Sequence, residues 1–277
     1  MVKNILYKVL PWAMTAVIGV TILFPIYWIL LSSITPKNML FVSPINYIPL
    51  KPSLENYIAL FKDVNILRLA ANTGIIIVFS VVFSIVFSLL AAYAFARFSF
   101  PGSKIVFAFV LFSAMMPVIS TMIPMFQFFR WLRLIDTYIG IIILYTSAML
   151  PFTTYVFISF IRQIPKSLEE AADIDGAGIL RKIFSILLPV LKPAIATMAI
   201  INFIVGMNEF MIPLIFTNVK IVTLSVGIVL ISRDFQYSIP WDKISSLSII
   251  MLLPIIVFIV IFEKNIMEGL MAGSVKQ

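Results

Sequence analysis

The chain has 277 residues, of which 62% are hydrophobic and 12% charged, and its formal net charge is +8. A mean hydropathy of +1.11 excludes the class of soluble globular proteins. The sequence contains no cysteine and no histidine, which excludes disulfides, thiol nucleophiles, histidine general bases and the usual zinc and haem ligand sets.

Long uncharged stretches predict the architecture. A membrane-spanning helix needs about 20 predominantly apolar residues, and such stretches lie at 11–34, 72–95, 105–127, 138–161, 193–216 and 244–262. The first is too long for the apolar region of a signal peptide, and no small-residue cleavage site follows it, so we expect it to stay in the mature protein. The sequence thus predicts an all-α polytopic membrane protein with six transmembrane helices, forming a single domain over 1–277.

Charge does not decide the orientation of these helices. If the N-terminus lies inside, the inside segments hold 11 Lys and Arg residues and the outside segments hold 9. Positive-inside bias sets orientation, but this difference is too small to set it here. The positive net charge suits loops beside anionic lipid, and no basic cluster interleaved with exposed aromatic residues indicates nucleic acid as a partner.

The densest charge lies in the run EEAADIDGAGILRKIF at 169–184. Ser167 and Glu170 have the spacing of a capping box, which predicts that a short helix begins here. Ala171 and Ala172 would lie on one face of that helix. Side chains this small let another surface approach the backbone closely.

A glycine turn divides the same segment. Gly176 can take the positive φ that a reversal between helices requires. A second helix is predicted from Leu180 to Leu187, and Pro189 ends it. The segment is either a solvated loop whose charges provide solubility or a protruding turn that fits a groove of a partner protein.

These residues carry a resemblance to a known family. The run is similar to the EAA loop of permease subunits in ABC importers, at Glu170-Ala171-Ala172, Asp175-Gly176-Ala177, Phe184 and Leu188-Pro189. Further stretches look like signatures of the carbohydrate-importer permeases, of the second maltose-type subunit in particular: PIYWILLSSI at 25–34, LENYIALF at 54–61, NTGIIIVFSVV at 72–82, AAYAFARFSFPGSK at 91–104, NEFMIPLIF at 208–216 and GLMAGSVKQ at 269–277. The resemblance covers nearly the whole chain.

The resemblance implies a type I ABC importer permease with a cytoplasmic coupling helix. In that family the EAA loop sits in a cleft of an ATP-hydrolysing subunit, which would place segment 162–192 and both termini of this multi-pass cell-membrane protein in the cytoplasm. The implied partners are ABC ATPase subunits, a second homologous permease subunit that completes a heterodimer, and an extracytoplasmic sugar-binding protein. The implied substrate is an oligosaccharide or another sugar derivative, with glycerol phosphate as an alternative.

The energy source follows from what the chain lacks. There is no G-x-x-x-x-G-K-[ST] motif with which to bind ATP, so we expect no enzymatic activity and no cofactor bound by this chain. ATP and Mg would be used by the partner subunit. Closure of two such subunits would rock the spans between inward- and outward-open states.

The resemblance assigns coupling to the ATPase to a set of residues on the charged loop: Glu170, Ala171, Ala172, Asp175, Gly176 and Ala177. Glu170 would pair with a basic side chain of the ATPase, or close the capping box with Ser167, or do both with its two oxygens. Asp175 would stabilise the glycine turn by local hydrogen bonding. The alanines and Gly176 would allow close packing.

One acid, Glu209, interrupts the fifth predicted span, and Asn208 precedes it. Acids inside membrane segments are rare, usually face the interior of the bundle and indicate a functional site by default. An amide beside such an acid suits sugar hydroxyls. Both residues are therefore candidates for the substrate pathway, and the alternative is that they hold helices together or contact a partner permease.

Two other functions fit part of the pattern. A secondary transporter driven by an ion gradient usually shows inverted repeats and paired intramembrane charges, whereas we find no convincing repeat and one such charge, Glu209. A membrane scaffold fits the apolar composition but gives the EAA-type loop no purpose. Both alternatives predict that no ATPase binds stably.

Overall fold

The computed structural model of the chain describes the backbone of residues 2–231 and 239–274, and the side chains of 10–117, 119–231 and 239–262. Parts of the predicted outer loop 217–243 and of the signature at 269–277 lie outside the described residues. Within the described ranges the regular secondary structure is helical.

The α-helices follow one another with few long connections. A 3-10 turn at Lys37–Met39 and a π-helix at Lys182–Leu187 stand between them. In chain order they are α1 Val2–Ile34, α2 Glu55–Asp63, α3 Ile66–Arg97, α4 Ser103–Met115, α5 Val118–Trp131, α6 Tyr138–Gln163, α7 Ser167–Ile174, α8 Ile179–Arg181, α9 Leu188–Val190, α10 Lys192–Asn208, α11 Met211–Phe216, α12 Leu224–Leu230 and α13 Trp241–Ser274.

Among the described residues, four helical segments are long and apolar enough to cross a membrane alone. They are Leu10–Ile34, Ile66–Arg97, Tyr138–Gln163 and Trp241–Phe262. Two bent helix pairs pass the same test, so the chain has up to six spans if each pair crosses once.

The predicted span 105–127 is not one continuous helix. It is divided between α4 and α5, whose axes are bent by 103°. Met116 between them is extended, with φ −67° and ψ 131°, because a following proline disfavours the helical conformation of the residue before it. Pro117 is therefore the cause of this break.

The predicted span 193–216 is also interrupted. Helix α10 ends at Asn208, Glu209 is extended with ψ 122°, and α11 begins at Met211. The bent pair that includes α10 is formed with the helical turns before it, because Ile179–Val190 meets Lys192–Asn208 at an angle of 82°. The sequence pattern predicted the apolar content of this region but placed its helix boundaries wrongly.

Backbone contacts divide the chain into two compact units, Met1–Ile66 with Gly227–Pro254 and Leu67–Val226 with Ile255–Gln277. In the first unit, the buried Asn56 on α2 donates from Nδ2 to the carbonyls of Ser33 (3.0 Å) and Thr35 (2.8 Å). The last carbonyls of a helix have no partner within that helix. Asn56 satisfies two of them and holds α2 against the end of α1.

In the second unit, α3, α6 and α10 pack on one another through two apolar clusters. One includes Ile77, Tyr145 and Phe216, and the other includes Leu89, Phe157 and Leu187, all of them buried. Gly206 allows α10 to approach α3 closely, since a Cβ at this position would lie 3.1 Å from Cγ1 of Ile77 on α3.

A polar contact crosses the same helices. The Nδ2 of the buried Asn202 on α10 donates to Oγ1 of Thr153 on α6 over 3.0 Å. Thr153 in turn donates to the carbonyl of Met149, four residues earlier in its own helix. These groups therefore have partners in an apolar interior, where an unpaired polar group is costly.

Candidate functional site

The charged loop folds as the sequence predicts, into a helix, a glycine turn and further helical turns. Helix α7 ends with Asp175 as its C-cap, and Gly176 has a φ of +72°. The N–H of Ala177 donates to the carbonyl of Ala172 (2.9 Å), and the N–H of Gly176 donates to that of Asp173 (3.0 Å). This pair of bonds is a Schellman motif, which requires a left-handed residue at the position of Gly176.

The predicted capping box is wrong. Lys166 is the N-cap of α7 and makes no side-chain capping bond, so Ser167 is already inside the helix. The N–H of Glu170 donates to the carbonyl of Lys166 over 3.0 Å, and that N–H is the donor that the Ser167 hydroxyl would need. Backbone pairing that begins one residue earlier removes the need for a side-chain cap.

The predicted coupling residues divide into two groups by exposure. Glu170, Ala171, Asp175 and Gly176 are exposed, and Ala177 is half-buried. Ala172 is buried by the chain itself, with 7% of its surface exposed. The small face predicted from Ala171 and Ala172 is thus available to another molecule only at Ala171.

Large apolar side chains stand exposed around the same turn. Ile174 at the end of α7 is 88% exposed, and Leu180 on α8 is 64% exposed. Exposed apolar residues grouped on a charged loop are typical of a surface that another protein covers.

Sequence analysis missed the acid that α7 buries. The side chain of Glu169 is 8% exposed and forms an ion pair with Arg97, whose Nε lies 2.6 Å from Oε1. The hydroxyl of Tyr93 donates to Oε2 over 2.9 Å. Glu169 lies three residues before the buried Ala172, and this i, i+3 spacing with an arginine at the end of α3 was the available signal.

A second ion pair on this loop is exposed. Nζ of Lys182 lies 2.8 Å from Oδ1 of Asp173, whose side chain is 55% exposed. An exposed pair of this kind contributes little to stability, since water and salt screen it.

Glu209 lies at the break between α10 and α11. Its Oε1 accepts a hydrogen bond from the N–H of Ile212 over 3.0 Å, in the first turn of α11. Its carbonyl accepts from the hydroxyl of Ser225 at 2.8 Å and from that of Tyr145 at 3.4 Å. Asn208 is exposed, but its Nδ2 donates to the carbonyl of Ile204 in its own helix (2.9 Å).

The Glu209 side chain also lines a cavity of about 390 Å³ within the second unit. Methionine and hydroxyl side chains from α4, α5 and α6 complete its wall, among them Met122, Met125, Thr121 and Ser147. The structure therefore brings Glu209 to a cavity and leaves Asn208 outside its lining. Among the residues whose side chains are described, 10–117, 119–231 and 239–262, no three acidic side chains are grouped as a metal site.

The class of protein follows from a family comparison. A family model for the binding-protein-dependent transport system inner membrane component matches residues 84–266. The chain belongs to this family, and it is accordingly a membrane permease subunit of an ABC importer, a transport component rather than an enzyme.

Curated relatives cover almost the full chain. It is 32% identical to the sulfoquinovosyl glycerol transport system permease protein SmoH of Agrobacterium fabrum, over 97% of this chain and 94% of that one. It is 33% identical to the trehalose/maltose transport system permease protein MalG of Thermococcus litoralis, over 99% of each. The trehalose transport system permease protein SugB of Mycobacterium tuberculosis is 34% identical, over 96% of this chain and 97% of its own.

Solved structures agree with the fold. A chain of a bacterial ABC transporter involved in the import of the acidic polysaccharide alginate superposes with a TM-score of 0.81 at 23% identity, over 95% of this chain and 97% of that one. A second structure, of the alginate transporter in complex with an alginate-pentasaccharide-bound periplasmic protein, gives 0.68 at 19% identity and covers 94% of each chain.

Proposed function

We propose that this permease subunit imports an oligosaccharide or another sugar derivative, and that α7 is the helix through which ATP hydrolysis in a partner subunit drives it. The observation that carries the proposal is the exposed surface of α7, where Glu170, Ala171 and Ile174 are accessible to solvent beside a Schellman turn. The chain has no P-loop of its own, so an ATPase must supply the energy.

The membrane arrangement follows from the same proposal. Each of the two bent helix pairs crosses the membrane once, which gives six spans and places both termini and α7 on the cytoplasmic side. A second, homologous permease subunit completes the pathway, two ATPase subunits dock on the cytoplasmic loops, and an extracytoplasmic binding protein delivers the substrate. ATP and Mg are bound by the ATPase subunits and none is bound by this chain.

A sugar substrate is supported by the relatives, whose names refer to sulfoquinovosyl glycerol, trehalose and maltose. The cavity beside Glu209 supports it too, because hydroxyl side chains and a carboxylate can accept hydrogen bonds from sugar hydroxyls. Glu209 is the substrate-pathway residue in this proposal. Asn208 has its amide bonded to its own helix and plays a smaller part.

Cysteine crosslinking tests the docking of the ATPase, since the natural chain has no cysteine. Ala171→Cys in native membranes, treated with a short thiol-reactive crosslinker, is expected to capture a P-loop ATPase that mass spectrometry identifies. Ala172→Cys is the matched control, because this neighbour is buried and should capture far less. If Ala171→Cys is labelled only from outside and captures no ATPase, the topology and the coupling role are both wrong.

Uptake into proteoliposomes tests the substrate. The whole transporter, with its binding protein and MgATP, is expected to accumulate radiolabelled trehalose or maltose. If neither these disaccharides nor oligosaccharides built from such units are taken up, the sugar assignment fails while the ATPase assignment stands.

A further inference from the structure

The Glu169 carboxylate is held on both of its oxygens by one helix. Arg97 is the last residue of α3, and Tyr93 lies one turn before it, so Nε of Arg97 reaches Oε1 and the hydroxyl of Tyr93 reaches Oε2. Two donors from successive turns fix the orientation of the carboxylate as well as its position.

Arg97 ties a third element to the same point. Its Nη2 donates to the carbonyl of Ile164, the residue that caps the C-terminal end of α6, over 2.8 Å. The Arg97 side chain is 8% exposed, as is that of Glu169. The ends of α3, α6 and α7 therefore meet at one buried ion pair.

Helix α7 needs such an attachment. With eight residues it is shorter than the length at which an isolated helix is stable in water, about 12–15 residues. Its other ion pair, with Lys182, is open to solvent on the side of Asp173, whose side chain is 55% exposed, and is screened there. The stiff polar link of α7 is thus the one to α3.

Helix α3 runs from this link to an apolar cluster beside the cavity. Ile77 on α3 belongs to the apolar cluster that includes Met122 and Phe216, and both of these line the cavity beside Glu209. Arg97 follows Ile77 by 20 positions, which is about 30 Å along the helix. A displacement of α7 that carries α3 with it therefore reaches the cavity through this apolar cluster.

We infer that Glu169 is a positioning residue for transport: its ion pair with Arg97 locks α7 to α3, so that movement of α7 is transmitted to the cavity. The inference rests on the proposed docking of an ATPase on α7 and adds the path by which that docking acts. Glu170 faces outward for the partner, and Glu169 faces inward for the chain itself.

The test measures how accessible the cavity is to a thiol reagent, and it needs no identified substrate. Ser147 is an exposed residue that lines the cavity, so Ser147→Cys provides a single thiol in a chain without others. In the assembled transporter we expect its N-ethylmaleimide labelling rate to change by about fivefold or more between the nucleotide-free state and the state trapped with MgATP and vanadate. With Glu169→Gln added, the change is expected to fall below about twofold, even though the ATPase still copurifies.

Controls separate transmission from folding. Asp173→Asn removes the charge of the 55% exposed carboxylate from the other ion pair of the same loop and should preserve the full change in labelling. If Glu169→Gln prevents assembly, Glu169→Asp keeps the charge but shortens its reach by one methylene, and it should still diminish the change.

A labelling change that stays at the parent level in an assembled Glu169 variant overturns the inference and leaves the docking of the ATPase intact. Absence of any change in the parent Ser147→Cys protein overturns it as well, whereas failure of the ATPase to bind the parent refutes the proposed function itself.

Discussion

Oδ2 of Asp136 accepts a hydrogen bond from the backbone N–H of Lys220 over 3.1 Å, which joins the α5–α6 loop to the segment after α11. The same carboxylate accepts from the N–H groups of Asn218, Val219 and Ile221 at 3.1–3.3 Å. Burial tends to raise the pKa of Asp136, but these donors, Lys220 first among them, outweigh burial and lower it.

Asp136→Asn is expected to lower the free energy of unfolding by about 2 kcal/mol at neutral pH. The amide NH₂ of the asparagine would face backbone N–H donors and could not accept hydrogen bonds from them. Asparagine tolerates the φ of +56° found here, so the substitution adds little backbone strain. Thermal unfolding of the detergent-solubilised chain measures the difference.

The pH dependence supplies the control. A carboxyl group with a lowered pKa stabilises the folded chain above its ordinary pKa of 3.8 and loses this contribution as the pH falls below that value. The gap in unfolding temperature between wild type and Asp136→Asn should therefore close under acid conditions. A gap that is independent of pH would mean that the charge of Asp136 has no part in it.

Gly176→Val is expected to abolish the ATPase activity that loaded binding protein stimulates in the reconstituted transporter. Valine at a φ of +72° costs at least about 1–2 kcal/mol, which shifts the turn after α7 out of its Schellman geometry. The stimulated ATPase rate, measured in proteoliposomes, reports the effect.

Gly178→Val is the matched control for that turn. Gly178 has a φ of −68°, and a Cβ on it would meet no atom within 4 Å. It should retain most of the stimulated rate. Equal rates for the two variants would show that the left-handed residue is not needed for coupling.

Gly140→Ala should destabilise the chain by about 1–3 kcal/mol or more. A Cβ on Gly140 would lie 2.2 Å from the carbonyl oxygen of Leu134, in the backbone that leads into α6. Gly74→Ala is its counterpart on α3, where a Cβ meets nothing within 4 Å. There the better helix propensity of alanine predicts no loss, or a gain of up to about 1 kcal/mol. Unfolding temperatures of the two variants decide it, and a loss at Gly74 as large as at Gly140 would contradict the packing argument.

Glu209→Gln separates the charge of Glu209 from its capping bond. Glutamine keeps an oxygen that can accept from the N–H of Ile212, so its unfolding temperature should remain close to that of the wild type. Glu209→Ala loses that bond and should be less stable by about 1 kcal/mol. If the carboxylate serves the substrate pathway, both variants lose uptake of radiolabelled trehalose. Wild-type uptake by Glu209→Gln would assign Glu209 a structural role.

Much of the fold was predictable because apolar length is a strong signal. The four long spans and the turn at Gly176 follow from runs of uncharged residues and from a glycine where a left-handed residue is required. The break at Pro117 was visible as a proline, but proline is common within membrane helices, and its position alone does not tell a kink from a 103° bend.

The inward role of Glu169 was harder to predict. Glu169 and Glu170 are identical in type and adjacent in sequence, so only the angle at which α7 meets α3 decides which of them is buried. The partner of the buried carboxylate, Arg97, lies 72 residues earlier in the chain, where no local pattern can reveal the contact. The same holds for Ala172, which a local pattern grouped with Ala171 although the two residues face different surroundings.

Helix α1 buries little of its apolar surface within the chain. In its most apolar stretch, within Leu10–Ile34, 6% of the residues are buried inside the protein, compared with 56% in the corresponding stretch of Tyr138–Gln163. Burial of apolar surface is the main favourable term in folding, so α1 adds little to the stability of its own chain. Its length and apolar surface are constrained mainly by the thickness of the bilayer. Sequence drift in α1 should therefore follow the lipids of each host cell, whereas α6 can drift only as far as its own core allows.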